Sequence, residues 1–477
     1  MDPEELRFGI GAYYGSSVLG RGVDMKYVKN FEEIARDDLH RLALETYEIG
    51  LEAADPRKAV AEAVEYRNGV VYLTKLGTSI EVKGSIHVVG FGKASKSMLL
   101  GLLEKVPIAG GVVINPSESG RIDNVEVAKG DHPIPGRNTL EASTRLLRYL
   151  EEEVRENDLL FVLVSGGGSA LFEVPIEGVE LEEIAWISRE LMKRGADIFE
   201  LNAVRKHLSK VKGGKLLRYV RARNVVTLIV SDVVGDRIDT IASGPTAPDP
   251  TTFRDVIEIL QRYGLWNELP PSIRRVVENG VRGQIEETVK PGDPVLEKVL
   301  NIIVASNTAS LEAMASYLRS RGFETMILTP YLVGEAREVG KVLASILRSV
   351  AYLGKPVEPP AAVLAGGETT VTVKGKGVGG RNQEMCLSLA IEIENLPIVA
   401  LCAGSDGIDG VSPAAGAIVD GSTAREAREK GLDPRKFLEN NDSYTFFSKL
   451  GRAIITGYTG TNVNDFFVAL IPKRTRS

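Results

Sequence analysis

Residues 159–170 read Leu-Leu-Phe-Val-Leu-Val-Ser-Gly-Gly-Gly-Ser-Ala. Six consecutive apolar residues without alternation are the pattern of a strand covered on both faces, as in a parallel sheet flanked by helices. Three glycines directly after it let a backbone wrap closely round an anion, in the crevice beyond the strand ends where open α/β sheets bind ligands. This one stretch therefore predicts both a fold class and a place for chemistry.

Similar runs rich in Val and Ile stand at 86–89, 111–114 and 225–230, separated by helix-length amphipathic segments. That alternation predicts parallel strands joined by crossover helices. A second set stands at 301–305, 324–328, 361–365, 369–374, 398–402 and 466–471, with helical segments at 310–320 and 335–352. From 31 to 65 apolar residues at helical spacing (Ile34, Leu39, Leu42, Tyr47, Leu51) predict a long helix, or two broken at Asp55-Pro56. Between Tyr263 and Pro294 prolines and glycines gather, which marks the expected domain boundary. The expected fold is α/β in two domains. An N-terminal extension (1–30) precedes a domain with a Rossmann-like, doubly wound sheet (31–280), and a second α/β domain with a mixed sheet follows (290–477).

A chain of 477 residues exceeds what one compact core holds, which agrees with two domains. Its net charge of -6 leaves no broad positive field for nucleic acid or an anionic membrane, so the expected partners are small molecules. Cys386 and Cys402 are too few for a disulfide framework and lack metal-ligand spacing. No apolar stretch approaches a membrane span, and the opening Met-Asp-Pro-Glu-Glu is unlike a signal peptide, so a cytoplasmic protein is expected. Glutamine occurs only at 261, 284 and 383 amid abundant Glu, Lys and Arg, a bias of proteins from hot environments.

Gly90-Phe91-Gly92-Lys93-Ala94-Ser95 follows a strand run and opens a helix, a position where backbone amides and a lysine meet an anion. It is not a Walker A loop, because His87 stands where the first glycine belongs. Ser165, Gly166, Gly167, Gly168 and Ser169 form the sharper phosphate-binding candidate, against a merely flexible turn. The run 225–230 leads into Asp232 and Asp236, carboxylates able to hold Mg²⁺ or to accept a proton from an attacking hydroxyl, or simply to shape a turn. In the second half Gly375, Gly377, Gly379 and Gly380 precede Arg381, whose guanidinium suits charge on a transferred phosphoryl group or a substrate carboxylate. Loops 404–410 and 457–465 add Asp406 and Asn462 to the same kind of edge. The first lacks the full ligand pattern of an EF-hand, no histidines pair at metal spacing, and core or surface roles are expected for all four. A Gly-x-Ser-x-Gly nucleophile elbow is absent from the glycine loop.

Taken in order, the loops resemble the glycerate 2-kinase family, whose C-terminal domain is called MOFRL. The resemblance rests on Gly-Phe-Gly-Lys-Ala at 90–94, Gly-Asp-His-Pro at 130–133, Ser-Gly-Gly-Gly-Ser-Ala at 165–170 and Leu-Asn-Ala-Val-Arg-Lys-His-Leu-Ser at 201–209. It continues through Lys-Gly-Gly-Lys at 212–215, Ser-Asp-Val-Val-Gly-Asp at 231–236, Ser-Gly-Pro-Thr at 243–246 and Gly-Gly-Arg-Asn-Gln-Glu at 379–384. Asp-Gly-Ile-Asp-Gly at 406–410 and Thr-Gly-Thr-Asn-Val-Asn-Asp at 459–465 complete it. Departures are Arg237 where an acidic residue is common, Gly136 for Asp, Ser405 for Thr and Tyr458 for Pro, none at a proposed catalytic group.

The resemblance implies transfer of the ATP γ-phosphoryl to the C2 hydroxyl of D-glycerate with Mg²⁺ or another divalent cation, in a cleft between the domains. It implies Lys93 and Arg381 as catalytic or substrate-anchoring cations, with Asp232 beside them as a catalytic candidate and Asp236 as a metal candidate. Gly90, Gly92, the 165–169 loop, Asn202, Asp406 and Asn462 are the expected substrate or nucleotide contacts, in a monomer or homodimer. The rival enzyme is a hydroxypyruvate reductase, but the 90–95 loop lacks the third glycine of a dinucleotide fingerprint. The rival of another class is a non-catalytic nucleotide-binding sensor, which would tolerate loss of Lys93 or Arg381.

Overall fold

The computed structural model describes residues 23–473, so most of the expected extension, residues 1–22, lies outside the described residues. The chain divides into two compact units: a middle unit, Pro56–Val304, and a terminal unit made of the chain up to Asp55 together with Ala305 onward.

The middle unit opens with an antiparallel three-stranded sheet, β1 (Val64–Arg67), β2 (Val70–Leu73) and β3 (Thr78–Glu81). Its main sheet contains β4 (Ile86–Phe91), β5 (Gly110–Asn115), β6 (Gly120–Ile122), β7 (Val125–Lys129), β8 (Leu159–Val164), β9 (Asn224–Val230) and β10 (Val299–Ala305). The order is β10-β9-β8-β4-β5-β7-β6. The pairings β7-β5-β4-β8-β9 are parallel, and the short edge strand β6 is antiparallel to β7. Every residue of β4, β5 and β8 is buried, as unalternated apolar strands require. Helix Arg137–Glu152 buries Ala142, Leu146 and Leu150 in a core with Val112, Val162 and Ile229. Helix Ser95–Leu103 packs on helix Pro56–Ala63. Doubly wound order thus holds as expected, with the sheet reversing direction of growth at β4 and β8, the switch point where ligands bind.

The terminal unit holds a mixed sheet of β11 (Glu324–Leu332), β12 (Ala361–Gly367), β13 (Val399–Gly404), β14 (Gly416–Asp420), β15 (Ala453–Ile454) and β16 (Asp465–Ile471), ordered β11-β12-β16-β13-β14-β15. Only β11 and β12 run parallel. Helices Ala336–Leu353 and Arg381–Glu392 share a core with β12, β13 and β16. Helices Asp38–Ala53 and Asn307–Ser320 pack on each other and on the same sheet.

Five expectations change. The expected helix divides into Phe31–Ile34 and Asp38–Ala53 and belongs with the C-terminal half, because the buried face of the second, Leu44, Tyr47 and Leu51, packs where Tyr47 also donates to the Gly404 carbonyl at 2.7 Å. Residues 27–30 join the same unit: Glu48 accepts from the amides of Tyr27 and Val28, and Asn30 bonds Ala453 and Ile455. The proline-rich stretch near 270 is no boundary, since Pro271 starts helix Pro271–Val281, whose Ile273, Val276 and Val277 pack with Phe253 and Leu260. The run 301–305 accordingly completes the first sheet as β10, and 369–374 contributes one bridge at Thr370 instead of a strand.

Candidate active site

In the middle unit two loops are stitched together beyond β4 and β8. The Lys93 amide donates to the Gly166 carbonyl at 2.9 Å, and the Ala94 amide to Ser165 Oγ at 3.0 Å. Gly92 has φ +130°, and a Cβ there would run into Ser165, so the approach of the loops demands glycine. Gly90 is likewise pressed on Leu163, where a Cβ would lie 2.9 Å from the Leu163 Cβ. Ser95 Oγ bonds the carbonyls of Gly92 and Ile114, both at 2.8 Å, holding the first helical turn on the sheet. The result presents Lys93, itself exposed, above the 165–168 backbone.

Gly167 adopts φ +78°, and the space a Cβ would fill is bordered by His132 Cδ2 and Nε2 at 3.0 Å and Lys93 Cε at 3.2 Å. At Gly166 the equivalent space is taken by the Asp232 carboxylate. One glycine loop thus carries a lysine and a histidine against one residue and a carboxylate against the next. Burial and then the Lys93 charge hold the His132 imidazole below its ordinary pKa. Ser169 Oγ meets Ser243 Oγ at 2.8 Å, Ser243 Oγ meets Asn202 Oδ1 at 3.1 Å, and Asn202 donates to the Thr240 carbonyl at 3.4 Å. Ala242 and Ser243 hold φ of +51° and +62°, a left-handed strain that is stored where surroundings over-determine it, often at functional sites. Asn202 therefore reaches the loop through Ser243. Asp236 sits in a turn with φ +54°, its amide donating to the Val233 carbonyl, and makes no side-chain hydrogen bond.

The Lys-Gly-Gly-Lys motif underpins this loop from within. Lys212, fully buried, donates to the Phe172 carbonyl at 2.8 Å and to Glu173 Oε2 at 2.6 Å, just after the glycine loop's short helix. Burial pushes Lys215 down to about 7. Both lysines belong to the core and not to an anion site.

In the terminal unit Arg381 begins helix Arg381–Glu392 and is held by Asp465 and Glu368. Burial works against its charge, but Asp465 and Glu368 outweigh it and hold the guanidinium firmly protonated. Asp409, buried, receives the amides of Asn382 at 3.0 Å and Gln383 at 2.8 Å, an anion set on the helix N-terminus. Burial still raises its carboxyl to about 6. Around Gly404 the space of a Cβ is bordered by Asp406 Oδ1 at 3.2 Å, Asp465 Oδ1 at 3.4 Å and Asn382 Nδ2 at 3.5 Å. Asp406 thus lies at the Arg381 site. The 404–410 and 457–465 loops are bound by Val463 N to Ser405 Oγ at 2.8 Å and Ser405 N to the Asn464 carbonyl at 3.0 Å. Asn462 shapes that join, its Oδ1 accepting from the Asn464 amide at 3.1 Å.

The glycine loop before Arg381 is not an open anion cradle. Asn441 Oδ1 takes the amides of Lys374 and Gly375, Asn440 Oδ1 that of Lys376 and Asp442 Oδ1 that of Val378. Its glycines accommodate this clamp: a Cβ at Gly375 would run into the Asn440 backbone and one at Gly377 into Asp442. The clamp and His132 were missed by sequence reasoning; Gly-Asp-His-Pro was the available signal for the second.

Among the described residues no group of three or more His, Cys, Asp or Glu is arranged to hold a metal ion. Mg²⁺ commonly takes only one or two carboxylates and completes its shell with water and substrate phosphate oxygens. Asp232, its carboxylate set against the glycine loop, fits that mode.

A glycine loop at the sheet end with a lysine beside it, and an arginine held by two carboxylates in the other unit, is an arrangement suited to an α/β enzyme that handles phosphoryl groups. Residues 42–278 match the family described as Domain of unknown function (DUF4147), and residues 361–465 match the MOFRL family. A glycerate 2-kinase of Pyrococcus horikoshii is 42% identical over 92% of this chain and 98% of its own. The crystal structure of a glycerate kinase from Thermotoga maritima matches with TM-score 0.81 at 41% identity, over 91% of this chain and 99% of that one. A protein of Agrobacterium vitis named as a hydroxypyruvate reductase is 38% identical over 92% of this chain and 94% of its own. The chain belongs to the glycerate 2-kinase (MOFRL) family and is a kinase.

Proposed function

We propose that the enzyme transfers the γ-phosphoryl group of ATP to the C2 hydroxyl of D-glycerate, giving 2-phosphoglycerate and ADP. The observation that carries this reading is the placement of Lys93, with Asp232 on the other flank, at one glycine loop beyond the central strands. Glycerate is itself an anion approaching a polyanion, so positive charge must be fixed at the meeting point before the hydroxyl can come in line. Lys93 supplies such charge at the glycine loop, and the reading requires Arg381 as well as Lys93 for turnover. A divalent cation, when bound, neutralises phosphate charge; Asp232 is its holder, with Asp236 the alternative. The amides of Gly166 and Gly167 orient the phosphate chain, since those of Ser165 and Gly168 are spent on the Phe91 and Ser165 carbonyls, and Ser169, through Ser243 and Asn202, fixes the loop's far end.

The family also contains a protein named as a hydroxypyruvate reductase, so reduction is the second reading. Lys93 occupies the loop where a dinucleotide fingerprint would continue toward its third glycine, which disfavours it. Purified enzyme is incubated with D-glycerate, Mg²⁺ and ATP, and 2- and 3-phosphoglycerate are resolved, for wild type, Lys93→Ala and Arg381→Ala. Formation of 2-phosphoglycerate by wild type alone is expected. Absence of phosphorylated product from folded wild type, with NAD(P)H oxidation on hydroxypyruvate, would replace this reading by the reductase.

A further inference from the structure

We propose that His132 is a catalytic residue of this phosphoryl-transfer site, its Nε2 accepting the proton of the glycerate hydroxyl as that oxygen attacks the γ-phosphorus. The inference rests on the kinase reading and deepens it. His132 comes from the segment after β7, yet its Nε2 and Cδ2 and the Lys93 Cε all close on the Cβ position of Gly167, at 3.0, 3.0 and 3.2 Å. The glycine is required twice there, by φ +78° and by the room the two side chains occupy. A lysine at that point draws in anions, and a histidine beside it meets whatever hydroxyl accompanies them.

The charge environment suits the role. Lys93 is the charged side chain facing His132 from the neighbouring loop, and the 166–168 segment presents backbone. Asp131, next in the chain, turns away: its Oδ1 accepts from Asn138 Nδ2 at 2.8 Å and its Oδ2 from the Thr139 amide at 3.2 Å. Among the described residues no carboxylate is a cause of shift at the imidazole, and partial desolvation with the Lys93 charge favours the neutral form, which accepts a proton. A neutral imidazole titrates nearer neutrality than a carboxylate, which makes it the better-matched base beside Asp232. In the step the hydroxyl O–H bond breaks with its proton passing to Nε2 and the oxygen bonds to the γ-phosphorus. The bond from that phosphorus to the β–γ bridging oxygen breaks with its electron pair leaving on ADP. The exposed imidazolium then releases its proton to solvent.

The test compares full-length wild type, His132→Gln and His132→Asn in the phosphoglycerate assay between pH 5 and 9, with thermal melts to confirm folding. Expected are a fall in kcat of about 10²-fold or more in both variants, KM for ATP within about threefold of wild type, and loss of the acidic limb of the kcat profile. A folded variant with kcat within about threefold of wild type, or with the acidic limb unchanged, overturns the assignment and leaves the proton to Asp232. Wild type that makes no phosphoglycerate overturns the kinase reading itself, a separate result.

Discussion

Asp465 grips the Arg381 guanidinium with two hydrogen bonds, Nε to Oδ2 at 2.6 Å and Nη2 to Oδ1 at 3.0 Å. Fork meets fork, which fixes the plane of the cation as well as its position. Asp465 is buried at the start of β16, so the sheet itself sets the direction in which Arg381 presents its remaining edge. Lysine keeps the charge and loses the plane. Arg381→Lys is therefore expected to lower kcat by about 10²-fold. Asp465→Asn, which turns one donor against the guanidinium, is expected to lower kcat about tenfold with the chain still folded. Steady-state kinetics on both variants check this; an Arg381→Lys enzyme within threefold of wild type would mean that charge alone suffices.

Gly167→Ala combines a left-handed φ of +78° with a Cβ pressed on His132 and Lys93. Gly178 has a similar φ of +83° with nothing within 4 Å of its would-be Cβ, which separates the two causes. Both alanine variants should lose about 1–2 kcal/mol of stability to the backbone alone. Only Gly167→Ala should also lose activity, by tenfold or more. Equal kinetics in the two variants would mean that the space over Gly167 is not used.

Strands β4, β5, β8 and β9 were legible in the sequence because burial on both faces leaves few polar residues, an unbroken apolar word in β8 and near-continuous ones in the others. The hairpin β1–β3 was not, since its exposed and half-exposed residues alternate weakly over four-residue strands. The loops at the strand ends, with Lys93 and Arg381 inside them, were legible as glycine-rich words. Which amides those glycines leave open was not: the 374–378 amides are taken by Asn440, Asn441 and Asp442, more than sixty residues away. Helix Asp38–Ala53 was legible as a helix ending near Asp55-Pro56 but not in its unit, for the same reason in reverse. It stands next to the middle unit in sequence, but its apolar face fits the sheet made 350 residues later, and no local pattern carries that information.

Asp409 gives a pH signature of opposite sign to ordinary acid denaturation. Burial raises its carboxyl to about 6, against the four hydrogen bonds from Asn382 and Gln383. A folded-state value above the unfolded one near 3.9 means that the native state holds the proton more tightly. The stability this group contributes is full below about pH 4 and is lost as pH rises through 6, by roughly 2–3 kcal/mol. Asp409→Asn cannot ionise. Denaturant unfolding of the two proteins between pH 4 and 7 should give a difference in which wild type falls relative to the variant across that window and stays level above it. A level difference throughout would show that the carboxylate is as well stabilised by the helix amides as it is in water.

Asn441 ties the loop before Arg381 to the helix that Arg381 begins. Its Oδ1 accepts from the amides of Lys374 at 2.8 Å and Gly375 at 2.9 Å, and its Nδ2 donates to Glu384 Oε2 at 2.8 Å. The residue is buried and holds φ +52°, a conformation asparagine tolerates better than alanine. Three hydrogen bonds, one buried and two part-buried, at roughly 1 kcal/mol each set the cost of removing the side chain at about 2–4 kcal/mol. Asn441→Gly loses the bonds and keeps the backbone at ease; Asn441→Ala loses the bonds and adds about 1 kcal/mol of strain. The glycine variant should therefore be the more stable of the two in denaturant melts, against the usual ranking of these residues. Both should lower kcat several-fold, because the segment that delivers Arg381 has lost its clamp. Wild-type kcat in a destabilised Asn441→Gly enzyme would confine the clamp to folding and leave Asp465 and Glu368 to determine where Arg381 points.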